Sequence, residues 1–443
     1  MRTIDLRGTT ARDAAALVPR AAQARQNALE VAGELVADVR DRGEPALRAQ
    51  AERFDGVSGH DIRVPRHEID QAVERLDPAV RAALESAITR VRRASAAQVP
   101  PPAVTELADG ARVTQRWQPV RRVGVYVPGG KAVYPSSVVM NVVPAQVAGV
   151  ASVALASPAQ RPDGRVHPTI LAAAGLLGVD EVYAIGGAGA IGALAHGVPG
   201  LQLEPVDVVT GPGNNFVAAA KRHVAGSVGT DSEAGATEIL IIADASADPR
   251  LVAADLVSQA EHDEQAGAVL VTDAPALAEA VARELEKRVP GTRHAERVAV
   301  ALDGIQSALV LVDDLEAAAA FSNAYAPEHL EVLTADPEAL LPVLTDAGAI
   351  FLGAHSPVSL GDYLAGSNHV LPTGGQARYA SGLGAHTFLR PQQIVTYDRG
   401  ALADVTDAIV ALAQAEALPA HGEAVTARFA GDGDRVAAAA SDD

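Results

Sequence analysis

From residue 120 onward, the sequence alternates between short runs rich in valine and isoleucine and helical stretches of roughly 10 to 20 residues. This alternation predicts strand–helix–strand units with parallel strands, because each helix carries the chain back to the edge where the previous strand began. Nine such runs exceed one sheet of ordinary size, which has about four to six strands. We therefore expect an α/β fold with two parallel sheets. The runs are VRRVGVYV (120–127), SVALAS (152–157), EVYAI (181–185), VDVVT (206–210), EILIIAD (238–244), AVLVT (268–272), ALVLV (308–312), EHLEVLT (328–334) and AIFLG (349–353).

The segments on either side of this region follow other patterns. Residues 11–98 carry apolar residues at three- and four-residue spacing, which predicts helices. Residues 354–400 are rich in Gly, Ser, His and Pro, which predicts long loops, and loops of this length are usually functional or disordered. A last helical stretch is predicted with a break at Pro419, and the tail from Ala430 is predicted to be disordered.

Composition and charge exclude several classes of function. The 36 basic and 55 acidic residues give a net charge of −19 without a basic block, so a cationic surface for nucleic acid is not expected. Cysteine is absent, which excludes disulfides, thiolate metal sites, iron–sulfur clusters and cysteine nucleophiles. The sequence has no apolar run of about 18 residues and no signal peptide at its start. We therefore expect a cytoplasmic protein without membrane or nucleic-acid partners.

Three glycine-rich turns follow predicted strands and precede predicted helices, at YVPGGKAVYPSS (126–137), GGAGAIG (186–192) and GPGNN (211–215). Each turn can present backbone N–H groups and a helix N-terminus to a phosphate. The second contains G-x-G-x-x-G, but a dinucleotide site also needs an acidic residue at the end of the next strand, and Asp207 lies at the wrong end. Two interpretations stay open: small residues that allow a helix to pack closely on a strand, or a nucleotide held near the three turns.

A candidate metal site begins in the segment QAEH (259–262). Asp248 and Pro249 favour a helix start, and Gln259 and His262 then project from one helical face, three residues apart. An amide oxygen and an imidazole nitrogen are ligands for zinc, but such a pair is also common as a hydrogen-bonded surface feature. Further ligands are available later in the sequence, although their spacing does not show that they meet: Asp362, His369, Glu416 and His421.

Glu328 and His329 form a second candidate site in AYAPEHLEV (324–332), directly after Pro327 and before a predicted strand. Neighbours on a regular strand point to opposite faces, but at the turn that enters a strand both can face one cleft. A histidine accepts protons near neutral pH, and a glutamate beside it can activate water. The alternative is a solvent-exposed glutamate beside a histidine that caps the turn.

Several long motifs together resemble one known family, histidinol dehydrogenase. The resemblance runs from about residue 20 to residue 428, in order and without large gaps. The motifs that carry it are YVPGG, GPGN-x-F-V-x-x-AKR, AG-x-x-E-I-L-x-I-AD, SQAEH, APEHLE, GDY-x-x-G-x-NHVLPT and E-x-x-x-x-H.

The resemblance implies the last step of histidine biosynthesis, in which L-histidinol is oxidised through L-histidinal to L-histidine. Two NAD+ are reduced, and one Zn2+ is bound per site. The implied fold is α/β, with two incomplete Rossmann-like parallel-sheet domains plus two small terminal segments, in an intertwined homodimer. The implied bounds are 23–125 with 238–383 for the first domain, which carries the zinc and catalytic residues, 126–237 for the NAD-binding domain, 1–22 with 384–406 for an accessory segment, and 407–443 for a C-terminal segment that reaches the partner's site.

The family's functional residues carry over position by position. The implied proton acceptors are Glu328 and His329. The implied zinc ligands are Gln259, His262, Asp362 and His421. The implied substrate contacts are these four ligands with His329, Thr237, His369 and Glu416. The implied NAD contacts are Tyr126 and Asn214, and in the family's dimer Glu416 and His421 would come from the other subunit.

The absence of cysteine constrains the second half of this reaction. Oxidation of an aldehyde to an acid usually proceeds through a cysteine thiohemiacetal, which this sequence excludes. Water activated by Glu328 must therefore add to the aldehyde, after His329 has taken the hydroxyl proton of the alcohol. Two positions depart from the family: Gly189 replaces a common glutamine that contacts NAD, and Thr237 replaces a serine and keeps its hydroxyl.

Two alternative functions stay open on sequence grounds. A sister dehydrogenase on the same scaffold would oxidise another polar alcohol, such as a sulfonated diol. The presence of Glu416 and His421, which suit an amine and an imidazole, argues against it. A zinc-binding protein without catalysis would have a closed site of four protein ligands and no role for Glu328.

Overall fold

The computed structural model describes residues 1–9, 15–20, 24–129, 133–161, 163–232 and 235–429. These residues form two compact units. The first unit comprises residues 1–99 and 119–388, and the second comprises residues 100–118 and the described residues from 389 onward.

Helices are present along most of the described chain, and many of them begin at proline. The helices are, in order, α1 (Ala24–Arg42), α2 (Glu44–Gln50), α3 (Arg66–Arg75), α4 (Pro78–Ala96), α5 (Pro135–Ala148), α6 (Pro168–Leu176), α7 (Gly187–His196), α8 (Asn215–Val224), α9 (Pro249–Ala260), α10 (Pro275–Arg288), α11 (Ala295–Asp303), α12 (Leu315–Tyr325), α13 (Val358–Tyr363), α14 (Arg399–Ala415) and α15 (Pro419–Thr426). Asp77, Asp248 and Asp314 cap α4, α9 and α12, because the first backbone N–H groups of a helix have no partner within it.

Strands and short turns complete the described chain. The strands are β1 (Arg2–Asp5), β2 (Ala103–Ala108), β3 (Ala111–Pro119), β4 (Arg122–Tyr126), β5 (Ser152–Ser157), β6 (Val182–Ala184), β7 (Val208–Thr210), β8 (Gly229–Thr230), β9 (Glu238–Ala243), β10 (Gly267–Thr272), β11 (Ala308–Leu311), β12 (His329–Leu333), β13 (Ala349–Leu352) and β14 (Leu389–Tyr397). Short helical segments of other types occur at Ala15–Leu17, Ala51–Asp55, Pro199–Leu201, Val289–Gly291, Glu338–Val343, Gln376–Arg378 and Ala385–Phe388.

A six-stranded parallel sheet in the first unit has the order β1-β11-β10-β9-β12-β13. Every residue of β9, β10 and β12 is buried, as in a parallel sheet that helices cover on both faces. Successive residues of β9 enter different cores, because side chains alternate along a strand. Ile239 and Ile241 pack with residues of α9, α10 and α11, whereas Leu240 and Ile242 pack with residues of α12.

A five-stranded parallel sheet, also in the first unit, has the order β6-β5-β4-β7-β8. Residues of α1, α7 and α8 pack together with this sheet in one core, and α5 contacts β4. Counted by their appearance in the chain, the strands of this sheet have the spatial order 3-2-1-4-5. The strands β9 to β13 have the same order, with β1 added beside β11. This is the order of a doubly wound sheet, in which the chain changes direction between the first and fourth strands.

The second unit contains a three-stranded sheet and two helices. The sheet has the order β14-β3-β2, and β2 and β3 are antiparallel with an irregular register between Glu106 and Ala108. Helix α14 begins behind the capping residue Asp398 and packs on α15.

The nine predicted strands are all present, and the prediction of two parallel sheets is confirmed. The predicted helices before residue 98 and the break before Pro419 are confirmed as well. The prediction of loops over 354–400 is wrong for α13 and for β14, and the tail from Ala430 lies outside the described residues. Within the described ranges, no helix is long and apolar enough to cross a membrane.

Candidate active site

Glu328 and His329 lie at the amino end of β12. Helix α12 ends at Tyr325, and Ala326 then turns the chain with a left-handed φ of 51° before Pro327. This corner directs both side chains into the protein, where Glu328 is 6% exposed and His329 is 4% exposed. Oε2 of Glu328 and Nδ1 of His329 are 3.5 Å apart. The two residues therefore converge, and the interpretation of a solvent-exposed glutamate is wrong.

Glu328 accepts two hydrogen bonds on one carboxyl oxygen. The hydroxyl of Thr237 donates to Oε2 at 2.6 Å, and the backbone N–H of Glu238 donates to the same atom at 2.9 Å. Burial raises the pKa of Glu328 well above its ordinary value, although the two hydrogen bonds act to lower it. A carboxylate with a raised pKa is a stronger base than one in water, and this property suits general-base catalysis.

His329 is held in one tautomer by the backbone. Its Nδ1 lies 3.1 Å from the carbonyl oxygen of Glu238. Because a carbonyl oxygen can only accept, Nδ1 carries the hydrogen, and Nε2 keeps a free lone pair. Burial lowers the pKa of His329, and the negative charge of Asp362 opposes this effect. The imidazole is therefore neutral and able to accept a proton at Nε2.

A hydrogen-bond chain links Gln259 to Glu328. Nε2 of Gln259 donates to Oγ1 of Thr237 at 2.6 Å, and the hydroxyl of Thr237 donates to Glu328. Gln259 lies in the last turn of α9 and is buried. Because the amide nitrogen is engaged in this chain, the amide oxygen is the atom that is available to a metal.

His262 lies beyond the end of α9, so the prediction that it lies on this helix is wrong. The helix ends at Ala260, and the N–H of His262 donates to the carbonyl oxygen of Gln259 at 3.3 Å. This tighter turn still keeps the two residues within one turn of each other. The ring of His262 stacks on Tyr134 with a centroid distance of 6.5 Å and an interplanar angle of 2°. Burial lowers the pKa of His262, and the charge of Asp362 opposes the shift.

His369 joins the loop after α13 to the first turn of α5. Its Nδ1 donates to the carbonyl oxygen of Asp362 at 2.9 Å, and its Nε2 lies 3.1 Å from Oγ of Ser137. Burial lowers the pKa of His369, and Asp362 again opposes the shift. The charge of Asp362 thus acts on three histidines, which are His262, His329 and His369. The site brings the amino end of β12 together with the start of α5, beyond the carboxyl end of β4.

Glu416 and His421 belong to the second unit. Glu416 follows the last residue of α14, His421 lies in α15, and both side chains are exposed. In the part of the chain that the structure describes, no group of three or more His, Asp or Glu side chains is arranged to hold a metal ion. The predicted site residues that the first unit brings together are Thr237, Gln259, His262, Glu328, His329, Asp362 and His369.

Tyr126 and Asn214, the predicted NAD contacts, lie at the carboxyl edge of the five-stranded sheet. The hydroxyl of Tyr126 accepts a hydrogen bond from the N–H of Gly187 at 3.2 Å, and burial raises the pKa of Tyr126 to about 12. Asn214 caps α8, because its Oδ1 accepts from the N–H groups of Phe216 and Val217. This edge is where a doubly wound sheet changes direction, and ligands bind there in such folds.

Two glycines of the G-x-G-x-x-G segment, Gly189 and Gly192, allow close helix packing. A Cβ at Gly189 would lie 2.3 Å from Oε1 of Gln50, and a Cβ at Gly192 would lie 3.2 Å from Cα of Val36. The close neighbours therefore belong to α1 and α2, whereas the packing interpretation expected a strand. Asp207 accepts from backbone N–H groups at the amino end of β4, so it lies at the edge away from the glycine-rich turns.

Three residues of the site were not predicted from the sequence. Glu238 donates its N–H to Glu328 and accepts from His329 with its carbonyl oxygen. The sequence did contain a signal for this residue, because Glu238 is a charged residue at the start of the apolar run EILIIAD. Tyr134 and Ser137 lie at the start of α5, in the first of the glycine-rich segments. Their contacts with His262 and His369 span distant parts of the sequence, and the local pattern held no signal for them.

Comparisons with known proteins point to one family. A family model described as histidinol dehydrogenase matches residues 18–429. The chain is 68% identical to a histidinol dehydrogenase of Leifsonia xyli subsp. xyli, over 97% of this chain and 99% of that protein. It is 57% identical to one of Thermobifida fusca, over 96% and 97% of the two chains. A crystal structure of histidinol dehydrogenase from Elizabethkingia anophelis is similar with a TM-score of 0.91 and 32% identity, over 97% of this chain and 98% of that one.

Proposed function

The chain belongs to the histidinol dehydrogenase family, and from this premise we propose that it converts L-histidinol to L-histidine through L-histidinal at one zinc-containing site. The family consists of NAD-dependent oxidoreductases that oxidise histidinol in histidine biosynthesis. The proposal adds that two NAD+ are reduced per histidinol, that Zn2+ is a resident cofactor and that the enzyme acts in the cytoplasm.

The observation that carries the proposal is the buried pair of Glu328 and His329. Oxidation of an alcohol to an acid requires a base for a hydroxyl proton in each step and a base that activates one water. His329 offers a neutral imidazole with a free Nε2, and Glu328 offers a carboxyl group of raised basicity. The two groups are 3.5 Å apart, so both can serve one substrate.

In the first step, we assign His329 as the base. Its Nε2 takes the hydroxyl proton of histidinol while a hydride leaves the same carbon for NAD+, and the aldehyde results. The bond from Nδ1 to the carbonyl of Glu238 stabilises the imidazolium that forms. General-base catalysis of this kind contributes about 10²–10⁴ in rate.

In the second step, we assign Glu328 as the base that activates water. The water oxygen bonds to the aldehyde carbon while a proton of the water passes to Glu328. The protonated His329 gives its proton to the former carbonyl oxygen, so that the hydrate forms and His329 is neutral again. A hydride then leaves the hydrate for a second NAD+ while His329 takes a hydroxyl proton, which yields the acid. The chain contains no cysteine for the alternative thiohemiacetal route.

The proposed zinc ligands fit the ion by their chemistry. Gln259, His262 and Asp362 offer an amide oxygen, an imidazole nitrogen and a carboxylate oxygen, which are suitable donors for Zn2+. Thr237 holds the amide nitrogen of Gln259, so the oxygen is available, and the charge of Asp362 acts on His262. When bound, Zn2+ polarises an oxygen of the substrate as a Lewis acid without a change of oxidation state.

We propose that a homodimer completes the site. His421 would be the fourth ligand, and Glu416 would contact the substrate amine, both from a second copy of the chain. Two observations support the contribution of these residues by one subunit to the site of the other. The side chains of Glu416 and His421 are exposed, and all six residues of β2 in the same unit are exposed as well. Thr237 and His369 complete the proposed substrate contacts within the first unit.

We propose two incomplete Rossmann-like domains, one around each parallel sheet, because both sheets have the strand order 3-2-1-4-5. The proposed bounds are those that the family resemblance implies: 23–125 with 238–383, 126–237, 1–22 with 384–406, and 407–443. We place NAD+ beside Tyr126 and Asn214, at the carboxyl edge of the five-stranded sheet. Gly189 stands where the family often has a glutamine that contacts NAD, and glycine has no side chain to make that one contact.

The experiment that tests the proposal counts NADH. Limiting L-histidinol is added to enzyme with excess NAD+, and NADH absorbance is measured as purified, after metal chelation and after addition of Zn2+. Two NADH per histidinol, lost on chelation and restored by zinc, is the expected result. One NADH would contradict the second step, and no NADH with histidinol but turnover of another polar alcohol would indicate a sister dehydrogenase.

The same assay separates the roles of the two bases. Glu328→Gln should stop after the first hydride and release one NADH per histidinol, because water addition to the aldehyde loses its base. Unchanged production of two NADH by this variant would contradict the assignment of Glu328.

A further inference from the structure

Glu238 holds both proposed bases through its backbone. Its N–H donates to Oε2 of Glu328 at 2.9 Å, and its carbonyl oxygen accepts from Nδ1 of His329 at 3.1 Å. The position of Glu238 at the start of β9 therefore sets the distance between the two proposed bases and the orientation of the atoms that would accept protons.

The side chain of Glu238 is in turn held by Arg20. Nε of Arg20 donates to Oε2 of Glu238 at 2.6 Å, and Nη2 donates to Oε1 at 3.1 Å. The N–H of Gly374 donates to Oε1 at 3.2 Å. Glu238 is only 3% exposed, and a carboxylate buried to this extent depends on a paired cation.

Arg20 also holds the corner that precedes Glu328. Its Nη2 donates to the carbonyl oxygen of Tyr325 at 2.5 Å and to that of Ala326 at 3.3 Å, and its guanidinium lies 3.8 Å from the centre of the Tyr325 ring. Ala326 has a left-handed φ, which residues with a Cβ adopt only where surrounding contacts enforce it. Arg20 supplies two of these contacts.

We propose that Arg20 is a positioning residue for the reaction, which acts on Glu328 and His329 through Glu238 and through the Tyr325–Ala326 corner. The inference rests on the proposed roles of the two bases. Both chains of contacts that start at Arg20 end on the same two side chains. The planar fork of arginine serves the carboxylate and the two carbonyls together, whereas the single ammonium of lysine does not match this arrangement.

The test compares Arg20→Gln and Arg20→Lys with wild type in steady-state oxidation of L-histidinol, with rates expressed per folded protein. Both variants should lose about 10- to 100-fold in kcat, because displaced outer partners and small misplacements of a base reduce rates by this factor. KM for histidinol should stay within about threefold of wild type, since Arg20 makes no proposed contact with the substrate.

Arg122→Gln is the matched control for a purely structural role. Arg122 also donates two hydrogen bonds to a carboxylate, that of Glu181 in the five-stranded sheet, and the exposed fractions of the two side chains are 8% and 18%. This variant should lower the midpoint of thermal unfolding and leave kcat per folded protein unchanged.

Glu238→Gln gives a second route to the same answer if Arg20 variants do not fold. It keeps the backbone bonds to the two bases and removes only the charge that Arg20 holds, so kcat should fall while KM is retained. In the double variant Arg20→Gln with Glu238→Gln, the two losses of kcat should not multiply, because both substitutions break the same contact between Arg20 and Glu238.

A kcat loss of less than about fivefold in Arg20→Gln, or in Glu238→Gln if the former does not fold, would overturn the inference, whatever the change in thermal stability. A rise in KM with unchanged kcat would overturn it too. Glu328→Gln and His329→Asn separate this failure from failure of the proposed function. If Glu328→Gln yields one NADH per histidinol and His329→Asn loses kcat while Arg20→Gln keeps it, only the role of Arg20 is wrong. If both variants still produce two NADH per histidinol at full kcat, the roles of both bases are wrong as well.

Discussion

Burial penalises the charged form of a side chain, and it therefore acts in opposite directions on Glu328 and His329. It raises the pKa of the carboxyl group and lowers the pKa of the imidazole. The carboxylate becomes a stronger base, and the imidazole stays neutral and able to accept a proton. One physical effect thus gives each neighbour the basicity that its proposed role requires. Glu328 and His329 are adjacent in the sequence, but they share this buried environment only because the corner at Ala326 directs both side chains into the protein.

Glu331 offers a pH test of the same physical effect. It lies two residues after His329 on β12 and is 1% exposed, and burial raises its pKa to about 9 with a further contribution from Asp255. In an unfolded chain a glutamate loses its proton near pH 4.3. Between about pH 4.5 and pH 9 the folded state therefore holds the extra proton, and the free energy of unfolding decreases as pH rises. Glu331→Gln removes this dependence, so the variant should gain about 1 kcal/mol per pH unit relative to wild type between about pH 6 and pH 8.

Urea unfolding of both proteins at several pH values in this window measures the difference. Glu52→Gln changes an exposed glutamate and serves as the control, with a pH profile parallel to wild type. A Glu331→Gln profile that is also parallel to wild type would contradict the prediction.

At the scale of elements, the strands that the sequence predicted belong to the two buried parallel sheets of the first unit. The runs EILIIAD and AVLVT became β9 and β10, in which every residue is buried and apolarity is a direct signal. Strand β14 was not predicted, because LRPQQIVTY contains a proline and two glutamines and is mostly exposed. The sheet of β14 joins distant segments, as the hydrogen bond between Arg116 and Gln392 shows, and such pairing leaves no local pattern.

The turn between β7 and α8 depends on a buried ion pair. Nζ of Lys221 donates to Asp231 and to the carbonyl of Gly211, and Oδ2 of Asp231 accepts from the N–H of Gly211 at 2.8 Å. The two charged side chains are 2% and 3% exposed. Gly211 has a φ of 118°, and a Cβ there would lie 1.9 Å from the carbonyl oxygen of Tyr126, so this position of the turn requires glycine.

Lys221→Met should therefore lower the free energy of unfolding by about 3–5 kcal/mol, because it leaves Asp231 buried without its partner. The double variant with Asp231→Asn should recover a large part of this loss, since no unpaired charge is left behind. Urea unfolding of the single and double variants measures both effects.

Lys287→Met is the control, because the ammonium of Lys287 pairs with Glu284 on the surface and its side chain is 70% exposed. Such pairs contribute about 0.5 kcal/mol or less. A double variant no more stable than Lys221→Met alone would show that the unpaired charge is not the cause of the loss.

For the whole molecule, the candidate site contains the amino end of β12 in one sheet and the start of α5, the helix that follows β4 of the other sheet. The proposed NAD contacts lie at the carboxyl edge of the five-stranded sheet, where doubly wound folds usually bind ligands. Glu328 lies at the amino end of β12 in the other sheet, so the usual rule does not locate it. The sequence indicated that a glutamate and a histidine precede a strand, but not that Thr237 meets Glu328 or that Ser137 meets His369. These contacts join residues 91 and 232 positions apart, and only the resemblance to a family anticipated part of this arrangement.

The proposed exchange of Glu416 and His421 between subunits is a property of the assembly and is tested on mixed dimers. His262→Asn and His421→Asn chains carry different affinity tags, are expressed together and are purified through both tags in turn. If His421 serves the other subunit, one site of each mixed dimer receives both changes and the other receives neither. The mixed dimer should then produce NADH at about half of the wild-type rate, while each parent homodimer is inactive.

The control pairs His262→Asn with His329→Asn, two residues of the first unit. Each site of that mixed dimer contains one of the two changes, whichever subunit supplies His421, so little activity should result. Activity in the first mixed dimer and none in the control would assign His421 to the partner's site. Only exchange of His421 between subunits can put both substitutions in one site and leave the other site unchanged. Inactivity of both mixed dimers, with dimers intact by light scattering, would contradict the exchange, because His421 would then serve the site of its own chain.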